Sequence, residues 1–313
     1  MTITETAITS QDQWHELRKP NIGASEIGAL FGCHEYASAY SLSARKLGLI
    51  EAQPDNDMMR RGRLLEPVAV EMLREERQEW KVWQPRAYYC DAAARLGATP
   101  DLLVRDNDDR RGVIQIKSVE PSVFARTWHD DDDCMAVPGW IKLQVMLEAH
   151  LTDSVFAYVA ALVVGHGIHL EMIEVPIEPA MIARMYHRAA IFWEQVDAGK
   201  PLDPDYGRDA AALASVLRQD DESELDMTSD NELPAIAARL EAANHAKVMA
   251  MEIADECKAR ILHRIGRAAK VRFAGGSISA KTITRKEHLV AASSFRSLKV
   301  RFARGGNGQE ILP

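Results

Sequence analysis

Four cysteines in 313 residues, none at CxxC spacing, are too few and too scattered for a zinc, iron–sulfur or disulfide framework. Cys33, Cys90, Cys134 and Cys257 read as ordinary thiols. Long apolar runs are missing too. No stretch is long enough to span a bilayer, and the first ten residues lack a basic stretch followed by an apolar block. A cytoplasmic protein with no membrane partner is therefore expected. Positive charge is short overall, 38 Lys and Arg against 46 Asp and Glu, a net charge of −8. That total at first argues against a nucleic-acid partner, but its distribution does not. From Lys258 onward there are 13 basic and 2 acidic residues, whereas the preceding 257 carry 25 and 44. Phosphate binding needs local positive potential, not a positive total.

What is present reads as an alternation of helices and strands. Ser10 caps a short helix that ends before Lys19-Pro20. Residues 21–30 form a glycine turn that runs into a helix whose first turn holds Ser25 and Glu26. A further helix spans 39–47 and stops at Gly48. Glu66-Pro67 is expected to open an amphipathic helix, with Val68, Met72 and Leu73 on one face. Strands are expected over 81–90, 96–105 and 112–119, a helix over 140–151, and a hairpin of 155–164 with 168–175. A helix over 179–198 ends at Gly199. Residues 201–230 are acidic and poor in large apolar residues, as a loop or lid would be. A long alanine-rich helix over 232–269 and two short β-like runs about Gly275-Gly276 follow. The domain expectation is a core over 1–200, an acidic linker or lid over 201–231, and a basic extension over 232–313 for oligomerisation or DNA binding. Arg304 to Gly308 has the composition of a frayed end.

Chemistry is concentrated where Asp101 follows Pro100 and Lys117 closes the apolar run Val113-Ile114-Gln115-Ile116-Lys117. An acid on one strand and an x-Lys element on the next is the trace of a metal-dependent phosphodiesterase. Side chains alternate along a strand, so Gln115 and Lys117 point the same way and can face Asp101. Mg²⁺ takes hard oxygen ligands and keeps several waters, so two or three side-chain oxygens suffice. Glu66, at an expected helix start beside the sheet, completes the set. The acidic run Asp130-Asp131-Asp132-Asp133 reads as a solvated loop, and His166 and His169 as turn residues without a third ligand.

Taken in order, six segments resemble the YqaJ-type phage recombination exonucleases, relatives of the lambda exonuclease in the PD-(D/E)xK nuclease superfamily. They are Arg18 with Ile22-Gly23-Ala24-Ser25-Glu26; Tyr36-Ala37-Ser38-Ala39-Tyr40; Arg61-Gly62-Arg63-Leu64-Leu65-Glu66-Pro67; Gly97-Ala98-Thr99-Pro100-Asp101; Gln115-Ile116-Lys117; and Leu143-Gln144-Val145-Met146-Leu147. The resemblance covers roughly residues 15 to 200. It implies an α/β restriction-endonuclease-like core, a mixed sheet of about five strands flanked by helices, plus a C-terminal helical extension. It also implies an Mg²⁺-dependent 5′–3′ exonuclease on double-stranded DNA ends, with Mn²⁺ able to substitute. Such an enzyme leaves 3′ overhangs for a single-strand annealing partner. By the same resemblance Glu66, Asp101, Gln115 and the Ile116 carbonyl surround the metals, Lys117 serves the attacking water, and Gln144 holds that water or the phosphate. Arg18 and Ser25 contact the 5′-terminal phosphate. A ring-shaped homo-oligomer and an origin in a phage or prophage of a bacterial host are implied as well.

Gln115 departs from the pattern, which has Glu there. A neutral amide oxygen binds Mg²⁺ less strongly than a carboxylate. Two readings stand: Gln115 is a natural, weaker ligand in an active site, or it is an engineered isosteric replacement of Glu that traps DNA uncut; both keep fold and DNA binding, and only the second abolishes cleavage. A structure-selective or single-strand nuclease on the same fold, and an inactive DNA-end-binding protein, are the alternatives. The basic arm after Lys258 either grips DNA phosphates or pairs with acidic surface on a neighbouring subunit; DNA contact is the favoured expectation.

Overall fold

The computed structural model describes residues 2–51, 55–130, 132 and 134–284. In chain order it holds β1 (Ile3–Ala7), α1 (Gln11–Arg18), β2 (Ile22–Gly23), a 3-10 helix (Ala24–Phe31), α2 (Ala39–Lys46), α3 (Asp57–Glu76), β3 (Lys81–Trp83), β4 (Ala87–Asp91), β5 (Leu96–Ala98), β6 (Leu102–Arg105) and β7 (Arg111–Val119). Then come α4 (Pro121–Thr127), α5 (Gly139–Leu151), β8 (Phe156–Val164), β9 (Ile168–Glu174), α6 (Pro179–Asp197) and α7 (Ala210–Val216). A second compact unit, Leu217–Pro313, contains α8 (Leu233–Ile265) and the antiparallel hairpin β10 (Lys270–Phe273) with β11 (Gly276–Ser279).

The first unit, Met1–Val216, carries a five-stranded mixed sheet in the order β3-β6-β7-β8-β9, flanked by helices, and a four-stranded sheet in the order β1-β4-β5-β2. Only β7 and β8 pair in parallel within the larger sheet. The mixed α/β architecture is the expected one. Two expected strands, 81–90 and 96–105, are each broken and divided between the two sheets. The breaks fall at Gln84-Pro85-Arg86 and at Thr99-Pro100-Asp101, since proline has no N–H to give a ladder. The second break matters, because the chain crosses there from one sheet to the other and Asp101 stands at the crossing.

Alternation along β7 sorts its side chains between two cores. Ile114 and Ile116 pack with Ala69, Val70 and Leu73 of α3. Val113 and Val119 join the cluster that holds Val145, Leu147 and Ala149 of α5. Gln115 and Lys117 share the parity of Val113, so they face α5. Each fully buried aliphatic side chain contributes about 1.5–3 kcal/mol, and a one-residue slip would turn all of them to the wrong face.

Several expectations need correction. Glu66-Pro67 does not open a helix: α3 begins ten residues earlier, where the Asn56 side chain accepts from the Met59 N–H. Pro67 lies inside the helix, which carries it at the loss of one main-chain hydrogen bond. The helix after Gly23 has 3-10 geometry. The first unit runs to Val216, past the boundary expected at 200. Buried Asp209 accepts from the Ser38 hydroxyl, and Arg208 donates to the carbonyls of Gly32, His34 and Ala37. Those bonds tie the supposed linker to the core. The expected frayed end at Arg304–Gly308, much of the basic arm, and Asp131 and Asp133 lie outside the described residues.

Candidate active site

Asp101 sits where the β6–β7 ladder ends. The last pair is Leu102 with Ile114, so from Gln115 onward that edge of β7 has no strand beside it. The Asp101 carboxylate takes the place of a strand there. Its Oδ2 accepts from the Ile116 N–H at 2.8 Å and from Gln115 Nε2 at 2.5 Å. The N–H and C=O of one residue leave a strand on the same edge, so the Ile116 carbonyl opens toward this gap too.

On the α5 side, Lys117 Nζ donates to Gln144 Oε1 at 3.1 Å, and Gln144 Nε2 donates to Glu148 Oε1 at 2.8 Å. Gln144 thus bridges the ammonium of a β7 lysine and a carboxyl one turn further along its own helix. The Trp140 ring lies 5.3 Å from Lys117 Nζ and adds a cation–π contact. Glu66, in mid-α3, accepts from Gln84 Nε2 at 2.6 Å.

These residues line two adjoining cavities. One, of about 310 Å³, is bounded by Arg18, Ser25, Asp101, Gln115, Lys117 and Glu148 among others, with Gln144. The other, of about 580 Å³, adds Glu66, Ile116, His34, Tyr36 and Trp140. Glu66, Asp101, Gln115, Ile116 and Lys117 all face the second, although α3 and α5 pack on opposite sides of the sheet. The free edge of β7 makes this possible, since consecutive residues 115–118 border the opening.

Arg18 and Ser25 are brought to the same place. Arg18 Nη2 donates to Ser25 Oγ at 3.2 Å, and its guanidinium lies 4.4 Å from the Trp14 ring, whose Nε1 donates to Thr99. The Gly23 N–H, at the helix N-terminus where an anion was expected, already donates to Glu26 Oε2 at 3.0 Å. That amide is therefore already occupied, whereas the Arg18 and Ser25 side chains line both cavities. Glu26 in turn receives Lys46, which also donates to the carbonyls of Arg18 and Asn21. Burial works to raise the Glu26 carboxyl, but Lys46, Arg18 and the Gly23 N–H together hold it below the ordinary carboxylate range.

Electrostatics mark the centre. Burial pushes the Asp101 carboxyl up to about 7; Lys117 opposes this and Glu66 adds to it. Burial, then the neighbouring Asp101, raises Glu148 to about 8. Burial also raises Glu66, against the Gln84 hydrogen bond. Gln115 Oε1 and Glu148 Oε2 are buried acceptors without a hydrogen-bond partner, and the Tyr88 hydroxyl on the same cavity is unpartnered too. An unsatisfied buried acceptor costs about 1–3 kcal/mol, which a cation would relieve. Among the described residues no three His, Cys, Asp or Glu side chains are grouped to hold a metal. The donors here are carboxylates supplemented by an amide and a main-chain oxygen, all of them hard. That set suits Mg²⁺, which keeps part of its water. Among the described residues, no helix is long and apolar enough to cross a membrane.

Glu148 is the residue that sequence reading passed over. Its signal was Gln144-x-x-x-Glu148, a helical i,i+4 pair of polar residues in an otherwise apolar segment.

Residues 13–154 match the YqaJ-like viral recombinase domain. No curated protein sequence matches the chain. Among solved structures, an alkaline exonuclease from Laribacter hongkongensis aligns at 22% identity and a TM-score of 0.48, over 65% of this chain and 100% of that one. A putative exonuclease from Eubacterium rectale aligns at 9% identity and a TM-score of 0.43, over 71% and 98%. A SOX–DNA complex aligns at 10% identity and 0.39, over 62% and 70%.

Proposed function

We propose, from the match of residues 13–154 to the YqaJ-like viral recombinase domain, that the protein is a metal-dependent exonuclease acting on double-stranded DNA ends. It would degrade the 5′ strand and leave a 3′ overhang for a single-strand annealing partner. The observation that carries this reading is the convergence of Glu66, Asp101, Gln115 and Lys117 on one cavity beside Arg18 and Ser25.

Bound Mg²⁺, or Mn²⁺ in its place, supplies charge neutralisation at the phosphoryl oxygens and an acidified water. Asp101, Gln115 through its amide oxygen, the Ile116 carbonyl and Glu66 would hold it. Lys117, fixed by Gln144 and Trp140, would orient the attacking water and screen the scissile phosphate. Arg18 and Ser25 would receive the 5′-terminal phosphate, a geometry in which guanidinium donors bind strongly. Copies of the chain would form a ring around DNA, with the basic residues after Lys258 meeting phosphates; light scattering of the purified protein tests the assembly.

Incubation with 5′-phosphorylated linear duplex, nicked circles and single strands, each with Mg²⁺, tests the activity. Release of mononucleotides from linear duplex alone is the expected result. Preference for single strands would point instead to a structure-selective nuclease. Gln115 favours one second reading, a DNA-end-binding protein that does not cut. Inactivity that Gln115→Glu reverses identifies a disabled nuclease, and inactivity of both forms identifies the binding protein.

A further inference from the structure

We propose that Glu148 supplies to the metal centre the carboxylate that Gln115 does not, from helix α5 rather than from strand β7. The inference rests on the nuclease reading above. Its ground is a displacement of charge. At position 115 the chain has a neutral amide, which leaves Asp101 as the one carboxylate on the free edge of β7. Across the smaller cavity α5 presents a second carboxylate, Glu148, beside Gln144.

Glu148 has no other evident occupation. It is 1% exposed, a place where an acid is expensive unless paired. No cation lies within ion-pair distance of it among the described residues; Oε1 takes the Gln144 amide and Oε2 takes nothing. A residue that only anchored Gln144 would need a single acceptor, which Gln or Asn provides without a second buried oxygen. A second orphaned acceptor, Gln115 Oε1, is also buried and borders the same cavity, as does the unpartnered Tyr88 hydroxyl. Two unpartnered hard oxygens and the Asp101 carboxylate around one space form a cation site in which the acid has moved from strand to helix. Burial of Glu148 is unfavourable in the metal-free protein, and Asp101 adds repulsion to it. A divalent cation between the two carboxyls reverses the sign of that interaction.

The test is metal binding by the full chain, read by the electron paramagnetic resonance of free Mn²⁺ without DNA. Glu148→Gln should weaken Mn²⁺ binding on the order of tenfold or more, and adding Gln115→Glu to that variant should recover most of the loss. Asp101→Asn separates this inference from the reading beneath it. If Asp101→Asn weakens Mn²⁺ binding while Glu148→Gln does not, Glu148 is no ligand and the nuclease reading stands. If neither variant weakens it, the metal site fails and the inference fails with it. Should Glu148→Gln fail to fold, crystals of the unaltered chain soaked in Mn²⁺ decide. Anomalous density within about 2.5 Å of a Glu148 carboxylate oxygen supports the inference. Density beside Asp101 but beyond that reach of Glu148 overturns it.

Discussion

Gln115 donates through Nε2 to Asp101 Oδ2 at 2.5 Å, just past the last rung of the β6–β7 ladder. A glutamate in its place cannot donate that bond and would set a second negative charge against Asp101. The Gln115→Glu variant should therefore be less stable than the unaltered chain without metal and gain more from Mg²⁺. Thermal melts with EDTA and with Mg²⁺ check this. Equal melting temperatures in EDTA would mean that the amide hydrogen bond contributes nothing.

Metal-free stability should fall as pH rises. In the folded protein burial holds Asp101 at about 7 and Glu148 at about 8, above their ordinary values of 3.8 and 4.5. Between those limits the folded state binds more protons than the unfolded chain, so unfolding becomes easier as pH increases. The contribution is complete below about pH 4 and lost by about pH 8. Melting temperatures in EDTA from pH 5 to 8.5 should decline, and Mg²⁺ should raise them more at the upper end. A profile that climbs toward pH 8 in EDTA contradicts the assignment.

Lys117→Ala should abolish cleavage while leaving end binding nearly intact. An ammonium aimed at the transferring phosphoryl serves the transition state, and its loss costs about 10²–10³-fold in rate. Single-turnover cleavage and fluorescence anisotropy on a 5′-phosphorylated duplex separate the two effects. Equal collapse of binding would show that Lys117 holds the ground state.

Arg18→Ala should erase the preference for phosphorylated ends. Losing a charge-assisted donor to phosphate should cut the rate ratio between 5′-phosphate and 5′-hydroxyl duplexes to roughly one. An unchanged ratio would free Arg18 from that role and leave it as a partner of Trp14 and Ser25.

Lys46→Met should destabilise the first unit by about 3 kcal/mol, because it strands the Glu26 carboxylate in a largely buried site. Urea unfolding measures it, and the double variant Lys46→Met/Glu26→Gln should recover part of the loss. No recovery would mean that the lysine acts through the carbonyls of Arg18 and Asn21 alone.

Local chemistry alone determined a good deal here. Ser10 and Ser38 capped the helices expected after them, Gly48 and Gly199 ended theirs with positive φ, and period-two alternation set Gln115 and Lys117 on one face of β7. The ordered motifs pointed to Glu66, Asp101, Gln115, Lys117 and Gln144, which the fold gathers in one place. Those signals act over a few residues, which is why they are readable in order along the chain. What tertiary structure decided acts at long range. Two strands were divided between sheets at proline breaks, and Asp101 came to face the open edge of β7 because a ladder ends beside it. Glu66 stayed inside α3 because the Asn56 cap, not Pro67, begins that helix. Glu148 acquired a charge problem only when α5 packed against β7, since burial and the nearness of Asp101 exist in three dimensions and not in the sequence.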